Sequence, residues 1–290
     1  MTNRILLCGA TGLVGTYLLP RLDNLNFEVT TFGRTAPTRC YSNQAHLDGD
    51  LSSLDRAVLQ ELDFDALVYL AQCRQFREFP ESSRSIFSIN TASVIDLLEI
   101  CRKKCASKFI YLSTGGVYEG GDEFIHEKSK LVSTDDSNFY IKSKLMAEMA
   151  LSEYTKYLDI VVYRPFFIYG HGQARGMLIP RLYDSVVSGS TISLQEESGI
   201  EIFPLHAADM ADAILYSLGE SGSGIFNIAG PDGYTIRRIA EIFARDANVT
   251  PSFEVSEDRA RHFRVKSEKL YREFRSERRS LKSHLADVRP

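Results

Sequence analysis

Short apolar runs alternate with longer amphipathic stretches over the first part of the chain. The runs predict β-strands at 4–8, 28–32, 46–51, 65–71 and 108–113. The stretches between them, in which apolar residues recur every three or four positions, predict helices at 16–25, 53–61 and 82–104. Strands that alternate with helices form a parallel sheet with right-handed crossovers. We therefore predict an α/β fold with a doubly wound, Rossmann-type parallel sheet.

The pattern changes after Gly170, where short strand-like pieces mix with helices. Helices are predicted near 177–187, 209–218 and 235–247, and short strands near 191–194 and 201–204. This pattern predicts a dinucleotide-binding domain over residues 1–169, to which the chain returns around 205–230. Residues 170–290 then form mainly a smaller C-terminal substrate-binding lobe.

Charge is distributed unevenly along the chain. The net charge of −4 hides a basic tail at 257–290, with 11 Lys or Arg against 6 Asp or Glu. Such a tail is typical of a solvated helical face with interleaved charges. Alternatively, Arg259, Arg261 or Arg264 binds an anionic substrate, because a guanidinium pairs well with phosphate oxygens. The pI of 5.9 argues against nucleic-acid binding.

The cysteines argue against a disulfide framework. They are odd in number and irregularly spaced, at Cys8, Cys40, Cys73, Cys101 and Cys105. This is typical of a reducing compartment, and no second Cys or His pair with ligand spacing predicts a metal site. We find no signal-peptide pattern and no apolar run approaching the ~20 residues of a membrane span. The sequence therefore predicts a soluble cytoplasmic protein without a metal.

A glycine-rich turn directly follows the first predicted strand. Residues 9–15 read GATGLVG, which places Gly9, Gly12 and Gly15 three positions apart before a helix. Glycines at such a turn let the backbone approach a pyrophosphate, and the helix N-terminus offers N–H groups and a positive dipole end. The turn therefore predicts a dinucleotide site, with a tight turn in an unrelated α/β protein as the alternative.

The end of the second strand bears on which dinucleotide binds. A carboxylate there hydrogen-bonds the adenosine ribose of NAD, whereas an arginine accommodates a 2′-phosphate. This chain has Gly33 followed by Arg34. We expect NADP(H) to be favoured, with NAD(H) possible and a solvent-facing Arg34 as the alternative.

Tyr140 and Lys144 are spaced to share one face of a helix. A tyrosine pKa of roughly 10 is too high for efficient proton exchange at neutral pH, and a nearby positive charge lowers it. The spacing alone is also typical of a solvated helix face. Ser113 and Thr114 end the preceding strand, and ligands bind beyond the carboxyl ends of parallel strands. We therefore expect the glycine turn, Thr114 and the Tyr140 helix to face one crevice.

These motifs together resemble the extended short-chain dehydrogenase/reductase family of the NAD-dependent epimerase/dehydratase type, from residue 4 to about 245. The resemblance implies that Thr114, Tyr140 and Lys144 are catalytic. Tyr140 would exchange a proton with a substrate oxygen, Thr114 would hydrogen-bond that oxygen, and Lys144 would lower the tyrosine pKa and bind the nicotinamide ribose. The expected cofactor-binding residues are Gly9, Thr11, Gly12, Leu13, Val14, Gly15, Arg34, Asp50, Leu51, Leu70, Ala71, Tyr140, Lys144 and Pro165.

Two departures from the family pattern concern the substrate. Gly115 and Gly116 stand where the 4,6-dehydratases carry an Asp-Glu pair, so no acid for eliminating water is evident. Phe167 replaces the Asn that commonly contacts the nucleotide-sugar phosphate, and an arginine of the tail is the expected substitute. The expected substrate-binding residues are Thr114, Gly115, Phe167 and Arg264.

Several other polar residues are expected to be structural. His171, His206 and His262 lack the spacing of a catalytic or metal site. Asp209 is expected to cap the helix at 210–218, and Asn90 to pack or hydrogen-bond inside the long helix.

The leading functional hypothesis is an NADP(H)-dependent oxidoreductase that transfers hydride to or from a sugar carbonyl, most plausibly as a nucleotide-sugar 4-ketoreductase. The first alternative is a nucleotide-sugar 4-epimerase with bound NAD. The second is a non-catalytic NADP-binding sensor. The family resemblance further implies a homodimer that pairs the helix at 82–104 with the helix bearing Tyr140.

Overall fold

The computed structural model describes residues 3–39, 41–272 and 274–290. The chain forms two compact units. Unit 1 contains Met1–Val117, Val132–Arg164 and Ala211–Phe226; unit 2 contains Tyr118–Leu131, Pro165–Met210 and Asn227–Pro290. Unit 2 thus includes residues 118–131 and resumes at Pro165, and the chain returns to unit 1 at 211–226. The assignment of a dinucleotide-binding domain and a substrate-binding lobe stays a prediction.

The strands are short and are numbered along the chain. They are β1 (Arg4–Cys8), β2 (Glu28–Gly33), β3 (Gln44–Asp48), β4 (Ala66–Tyr69), β5 (Lys108–Leu112), β6 (Asp159–Pro165), β7 (Ile168–Tyr169), β8 (Ile192–Gln195), β9 (Glu201–Ile202), β10 (Leu205–His206), β11 (Gly224–Ile228), β12 (Tyr234–Thr235) and β13 (Phe253–Ser256).

The helices are numbered in the same way. They are α1 (Leu13–Asn24), α2 (Arg56–Glu61), α3 (Ser83–Phe87), α4 (Ser93–Lys103), α5 (Phe139–Glu153), α6 (Leu178–Val187), α7 (Ala207–Gly219), α8 (Ile236–Ala247) and α9 (Glu268–Tyr271). Short 3-10 turns lie at Leu51–Ser53, Gly115–Val117 and Leu281–Asp287.

A seven-stranded sheet has the order β11-β6-β5-β4-β1-β2-β3. The pairs from β3 across to β6 are parallel. Strands β1, β4 and β5 are almost wholly buried, which explains their continuous apolar runs, because a parallel sheet is covered on both faces. The predicted doubly wound, Rossmann-type fold is confirmed.

The predicted helix at 82–104 is interrupted. A π-helical turn at Ser88–Ala92 separates α3 from α4. It leaves backbone carbonyls for two buried tyrosines, since the Tyr69 hydroxyl donates to the Ile89 carbonyl and the Tyr111 hydroxyl donates to the Asn90 carbonyl at 3.3 Å. These bonds, which apolar periodicity does not reveal, account for the break.

Unit 2 is built from three two-stranded pairings, β7 with β10, β9 with β12 and β8 with β13. Its core lies between α6 and α8, where Tyr183 and Phe243 make an edge-to-face contact with centroids 5.3 Å apart. Leu281 and Val288 in the C-terminal segment are also buried in this core.

The start of α7 differs from expectation. The helix begins at Ala207, and the ring Nδ1 of His206 accepts a hydrogen bond from the backbone N–H of Ala208 at 3.1 Å. Asp209, expected to cap this helix, lies inside its first turn. Its buried carboxylate accepts hydrogen bonds from the backbone and side chain of Arg279 instead. The capping role thus falls to a histidine, a residue type that cap preferences do not identify.

The other polar residues agree with structural roles. His206 is buried, and because its Nδ1 accepts from Ala208, its Nε2 donates to the Asp287 carboxylate at 3.0 Å. His262 accepts from the backbone N–H of Glu201 at 3.0 Å. His171 is exposed, and Asn90 is buried with hydrogen bonds through both its side chain and its backbone.

The described part of the chain contains no group of three or more His, Cys, Asp or Glu that forms a metal site. Cys8, Cys73, Cys101 and Cys105 are not in disulfides, and Cys40 lies outside the described residues. Within the described ranges, no helix is long and apolar enough to cross a membrane.

Candidate active site

The glycine turn packs against the end of β4 within unit 1. Gly9 has a φ of +92°, and a Cβ built there would lie 2.7 Å from the Ala71 nitrogen and 2.8 Å from the Leu70 carbonyl carbon. At Gly15 a Cβ would lie 2.4 Å from the Ala10 oxygen. Both positions therefore exclude any side chain, because backbone atoms occupy the space.

The N-terminus of α1 opens directly from this turn. Its N-cap residue is Gly12, which provides no side chain to accept hydrogen bonds from the first helical N–H groups. Leu13 and Val14 begin the helix, while Thr11 is exposed beside it. A close backbone turn and an uncapped helix N-terminus fit the pyrophosphate of a dinucleotide.

The end of β2 is open and basic. A Cβ at Gly33 would have no atom within 4 Å. Arg34 is exposed, and its guanidinium makes no hydrogen bond or ion pair with the rest of the described chain.

Asp50 has a structural contact of its own. Its carboxylate caps the 3-10 turn at Leu51–Ser53 by accepting a hydrogen bond from the Ser52 N–H at 2.8 Å. This hydrogen bond lowers the pKa of Asp50, and the positive charge of Arg34 lowers it further. Leu51 anchors the same turn in the core of unit 1.

Thr114 lies just beyond β5. Its Oγ1 accepts a hydrogen bond from the Gly116 N–H at 3.2 Å, which leaves its own O–H to donate. A Cβ at Gly116 would lie 2.8 Å from the Ile141 side chain, so little space exists for a larger residue there. Gly115 is buried in the same turn.

Tyr140 lies in the first turn of α5, whose N-cap residue is Asn138. Its hydroxyl donates to Gln72 Oε1 at 3.2 Å. Burial raises the pKa of Tyr140 to about 12, and a hydrogen bond with Thr114 opposes this shift. The direction differs from our expectation that Lys144 lowers this pKa.

Lys144 explains the difference. Its side chain is fully buried, and its Nζ donates to the Leu112 carbonyl at 2.8 Å and lies 4.8 Å from the centroid of the Tyr111 ring. Burial lowers the pKa of Lys144 to about 7, while the negative charge of Glu148 opposes that shift. The amine is therefore directed at the end of β5, and its burial disfavours the charged form.

A buried ion pair supports α5. Glu148 accepts a hydrogen bond from the Ser113 hydroxyl and two from Arg164, at 3.1 Å and 2.5 Å, with both ionised side chains less than a tenth exposed. This group was not among the residues predicted from the sequence. Its signal is that Glu148 lies four residues after Lys144, on the same helix face.

Comparison with known proteins identifies the family. The model described as the NAD dependent epimerase/dehydratase family matches residues 5–229. The chain belongs to this family.

Among its relatives is a UDP-glucose 4-epimerase of Haemophilus influenzae, 22% identical over 88% of this chain and 86% of that protein. A dTDP-4-dehydro-6-deoxy-D-allose reductase of Streptomyces bikiniensis is 22% identical over 82% of this chain and 81% of that protein. The structure of a UDP-glucuronic acid 4-epimerase from Bacillus cereus, in complex with UDP-glucuronic acid and NAD, superposes with a TM-score of 0.85 at 20% identity, covering 98% of this chain and 97% of that one. The family consists of enzymes, and the solved structure shares this fold.

The remaining predicted residues of this family member lie in unit 2. Pro165 is buried at the end of β6, and Phe167 has a φ of +48° with its ring edge-to-face against Phe263, centroids 5.7 Å apart. Arg264 donates to Glu201 Oε2 at 2.5 Å and to the Asp122 carbonyl at 2.8 Å. Its guanidinium charge is thus already matched within the unit.

Substitution of Gly9 tests the turn. Gly9→Ala should lower the free energy of unfolding by at least ~1 kcal/mol more than Gly222→Ala, because both carry a left-handed φ but only Gly9 also meets backbone atoms. Urea denaturation measures both variants. Equal losses would show that the approach to Leu70 and Ala71 does not constrain this position.

Lys144→Met tests the buried amine through pH. Burial lowers the pKa of Lys144 from 10.5 in the unfolded chain to about 7 in the folded protein. The buried charge therefore lowers the free energy of unfolding by its full amount below pH 7, and this loss disappears as the pH rises to 10.5. The stability advantage of Lys144→Met should therefore shrink by on the order of a few kcal/mol between about pH 6 and pH 10. Denaturation at several pH values measures it, and a constant difference would contradict the lowered pKa.

Proposed function

We propose that the protein is an NADP(H)-dependent oxidoreductase that transfers hydride to or from a sugar carbonyl, acting as a nucleotide-sugar 4-ketoreductase. The observation that carries this proposal is the group formed by Thr114 and Tyr140 beyond β5, in the same unit as a glycine turn shaped for a dinucleotide.

The chemistry follows from the two side chains. The nicotinamide, when bound, supplies the hydride to the carbonyl carbon or removes it from the alcohol. In the reductive direction, the Tyr140 hydroxyl transfers its proton to the carbonyl oxygen. The Thr114 hydroxyl hydrogen-bonds the same oxygen and stabilises the negative charge that develops on it. Lys144, predicted to bind the nicotinamide ribose, is held one turn from Tyr140 by the Leu112 carbonyl.

NADP(H) is proposed because of the end of β2. The open space at Gly33 holds no carboxylate for the ribose hydroxyls of NAD, and the exposed Arg34 can pair with a 2′-phosphate. A reductase must also exchange its cofactor in every turnover, which suits NADPH.

Elimination of water is not part of the proposal. The confined space at Gly116 and the absence of an acid at Gly115 and Gly116 leave no group to protonate a departing hydroxyl.

The substrate's diphosphate requires a cation, and Arg259, Arg261 and Arg264 are the tail arginines expected to supply it. Arg259 and Arg264 each lie 2.5 Å from a carboxylate oxygen, whereas Arg261 lies 3.6 Å from Glu119 and is half exposed. Of these three arginines, Arg261 is therefore the best able to bind a phosphate. Thr114, Gly115, Phe167 and Arg264 remain proposed substrate residues.

A nucleotide-sugar 4-epimerase with bound NAD is the second candidate. The Haemophilus relative is a UDP-glucose 4-epimerase, and the structure from Bacillus cereus is a 4-epimerase with NAD. An epimerase would interconvert UDP-sugars without added cofactor, whereas the proposed reductase consumes NADPH.

The assembly and location are also proposals. We propose a homodimer through α4 and α5, where the apolar side chains of Ile95 and Met149 are exposed. A cytoplasmic location remains a prediction from the cysteines.

Tyr140→Phe tests the mechanism. With NADPH and a nucleotide-activated 4-keto-6-deoxysugar, kcat should fall by about 10²–10⁴, because the general acid is removed. The Kd for NADPH should change little. Tyr157→Phe, at an exposed tyrosine, is the control and should behave as wild type. Turnover within about tenfold of wild type in Tyr140→Phe would reject the role of Tyr140.

Arg34→Ala tests the cofactor. The Kd for NADPH should rise by roughly 10- to 100-fold, as expected for loss of a charge-assisted hydrogen bond, while the Kd for NADH stays the same. Arg39→Ala, at another exposed arginine, is the control. Gly33→Asp should shift the preference toward NADH, because the open space accepts the carboxylate. A wild-type protein that binds NADH more tightly than NADPH would favour the epimerase.

A further inference from the structure

Gln72 contacts the reacting oxygen of Tyr140, although no motif in the sequence indicates it. It follows β4 directly after Leu70 and Ala71, and its carboxamide Oε1 lies 3.2 Å from the Tyr140 hydroxyl. The hydroxyl donates and the carboxamide oxygen accepts. This contact therefore exists only while the phenol keeps its proton.

The segment that carries Gln72 is fixed against α5. The backbone N–H of Cys73 donates to Asn90 Oδ1 at 3.0 Å, and Asn90 Nδ2 donates to Ser143 Oγ at 3.0 Å. Ser143 Oγ in turn donates to the Tyr140 carbonyl at 2.7 Å. A continuous series of hydrogen bonds thus joins the residue after Gln72 to the backbone of Tyr140.

A second contact fixes the ring itself. The rings of Phe76 and Tyr140 lie with centroids 4.9 Å apart, tilted by 51°. Phe76 belongs to the same segment as Gln72. This segment therefore contacts both the ring and the hydroxyl of Tyr140 and fixes their positions.

We propose that Gln72 is a positioning residue that holds the Tyr140 hydroxyl in its protonated, proton-donating form and thereby extends the pH range of carbonyl reduction. This deepens, and rests on, the proposed reductase function. During reduction the O–H bond of Tyr140 breaks and its proton passes to the carbonyl oxygen. The hydride from NADPH goes to the carbon, and the phenolate regains a proton from solvent.

Other groups around Tyr140 do not replace this contact. Tyr111 on β5 interacts electrostatically with Tyr140, and Lys144 lies one turn further along α5. The segment after β4 carries the titratable groups of Cys73 and Arg77. Lys144 is directed at the Leu112 carbonyl, and Arg77 lies over the Phe76 ring, 5.0 Å from its centroid. Burial raises the pKa of Tyr140 and the hydrogen bond with Thr114 lowers it, whereas the hydrogen bond to Gln72 Oε1 requires the phenol proton.

The test is a titration of Tyr140 by NMR in protein labelled at the tyrosine Cζ, with the Tyr140→Phe spectrum identifying the resonance. Gln72→Leu removes the acceptor and should lower the Tyr140 pKa by about half to one unit, as one hydrogen bond to the neutral form implies. Gln72→Glu keeps an acceptor and adds a negative charge, and should raise the pKa. Gln75→Leu makes the same chemical change at an exposed glutamine of the same segment, and it should leave the Tyr140 pKa unchanged.

Kinetics provide the second measurement. The pH above which kcat/KM for reduction declines should fall in Gln72→Leu by the same amount as the NMR pKa, while thermal stability is retained. An unchanged Tyr140 pKa in Gln72→Leu would overturn the proposal. A raised pKa would also overturn it, because it would mean that the carboxamide of the wild-type protein donates to the phenolate. A lowered pKa without any reductase activity would instead overturn the proposed function and leave the role of Gln72 intact.

Discussion

The buried carboxylate of Glu148 joins three elements of unit 1 around the candidate site. An ionised carboxylate away from water requires a partner, and Arg164 supplies it with two hydrogen bonds while Ser113 adds a third. These three residues come from α5, the end of β6 and the end of β5. The ion pair therefore ties the helix that carries Tyr140 to the strand ends where ligands bind in parallel sheets.

Burial also shifts the pKa values of Lys144 and Tyr140. Lys144 lies one turn before Glu148 and is wholly enclosed, so its amine depends on the Leu112 carbonyl and its pKa is lowered to about 7. Burial raises the pKa of Tyr140, which favours the protonated phenol. A protonated tyrosine in contact with Thr114 is suited to donate a proton, which is what reduction of a carbonyl requires.

Several arginines of the basic tail form ion pairs within unit 2. The basic tail looks like a surface for anions when only its composition is counted, yet Arg259, Arg264, Arg279 and Arg289 each pair with a carboxylate in the folded unit. An arginine that is paired in this way is less available to bind an anion than composition suggests. Composition cannot distinguish such a residue, because the pairing joins segments far apart in the chain.

The sequence by itself determined the fold class and the order of the motifs. Buried parallel strands require continuous apolar runs, and the turn at Gly9 requires glycine for local steric reasons that the spacing reveals. Other features depend on contacts between residues that are far apart in the sequence. The π-helical turn depends on the Tyr69 and Tyr111 hydroxyls, the cap of α7 on His206, and the charge state of Lys144 on its enclosure. The contact of Gln72 with Tyr140 is seen only in the folded structure, because a hydrogen bond between residues 68 positions apart leaves no periodic pattern in the sequence.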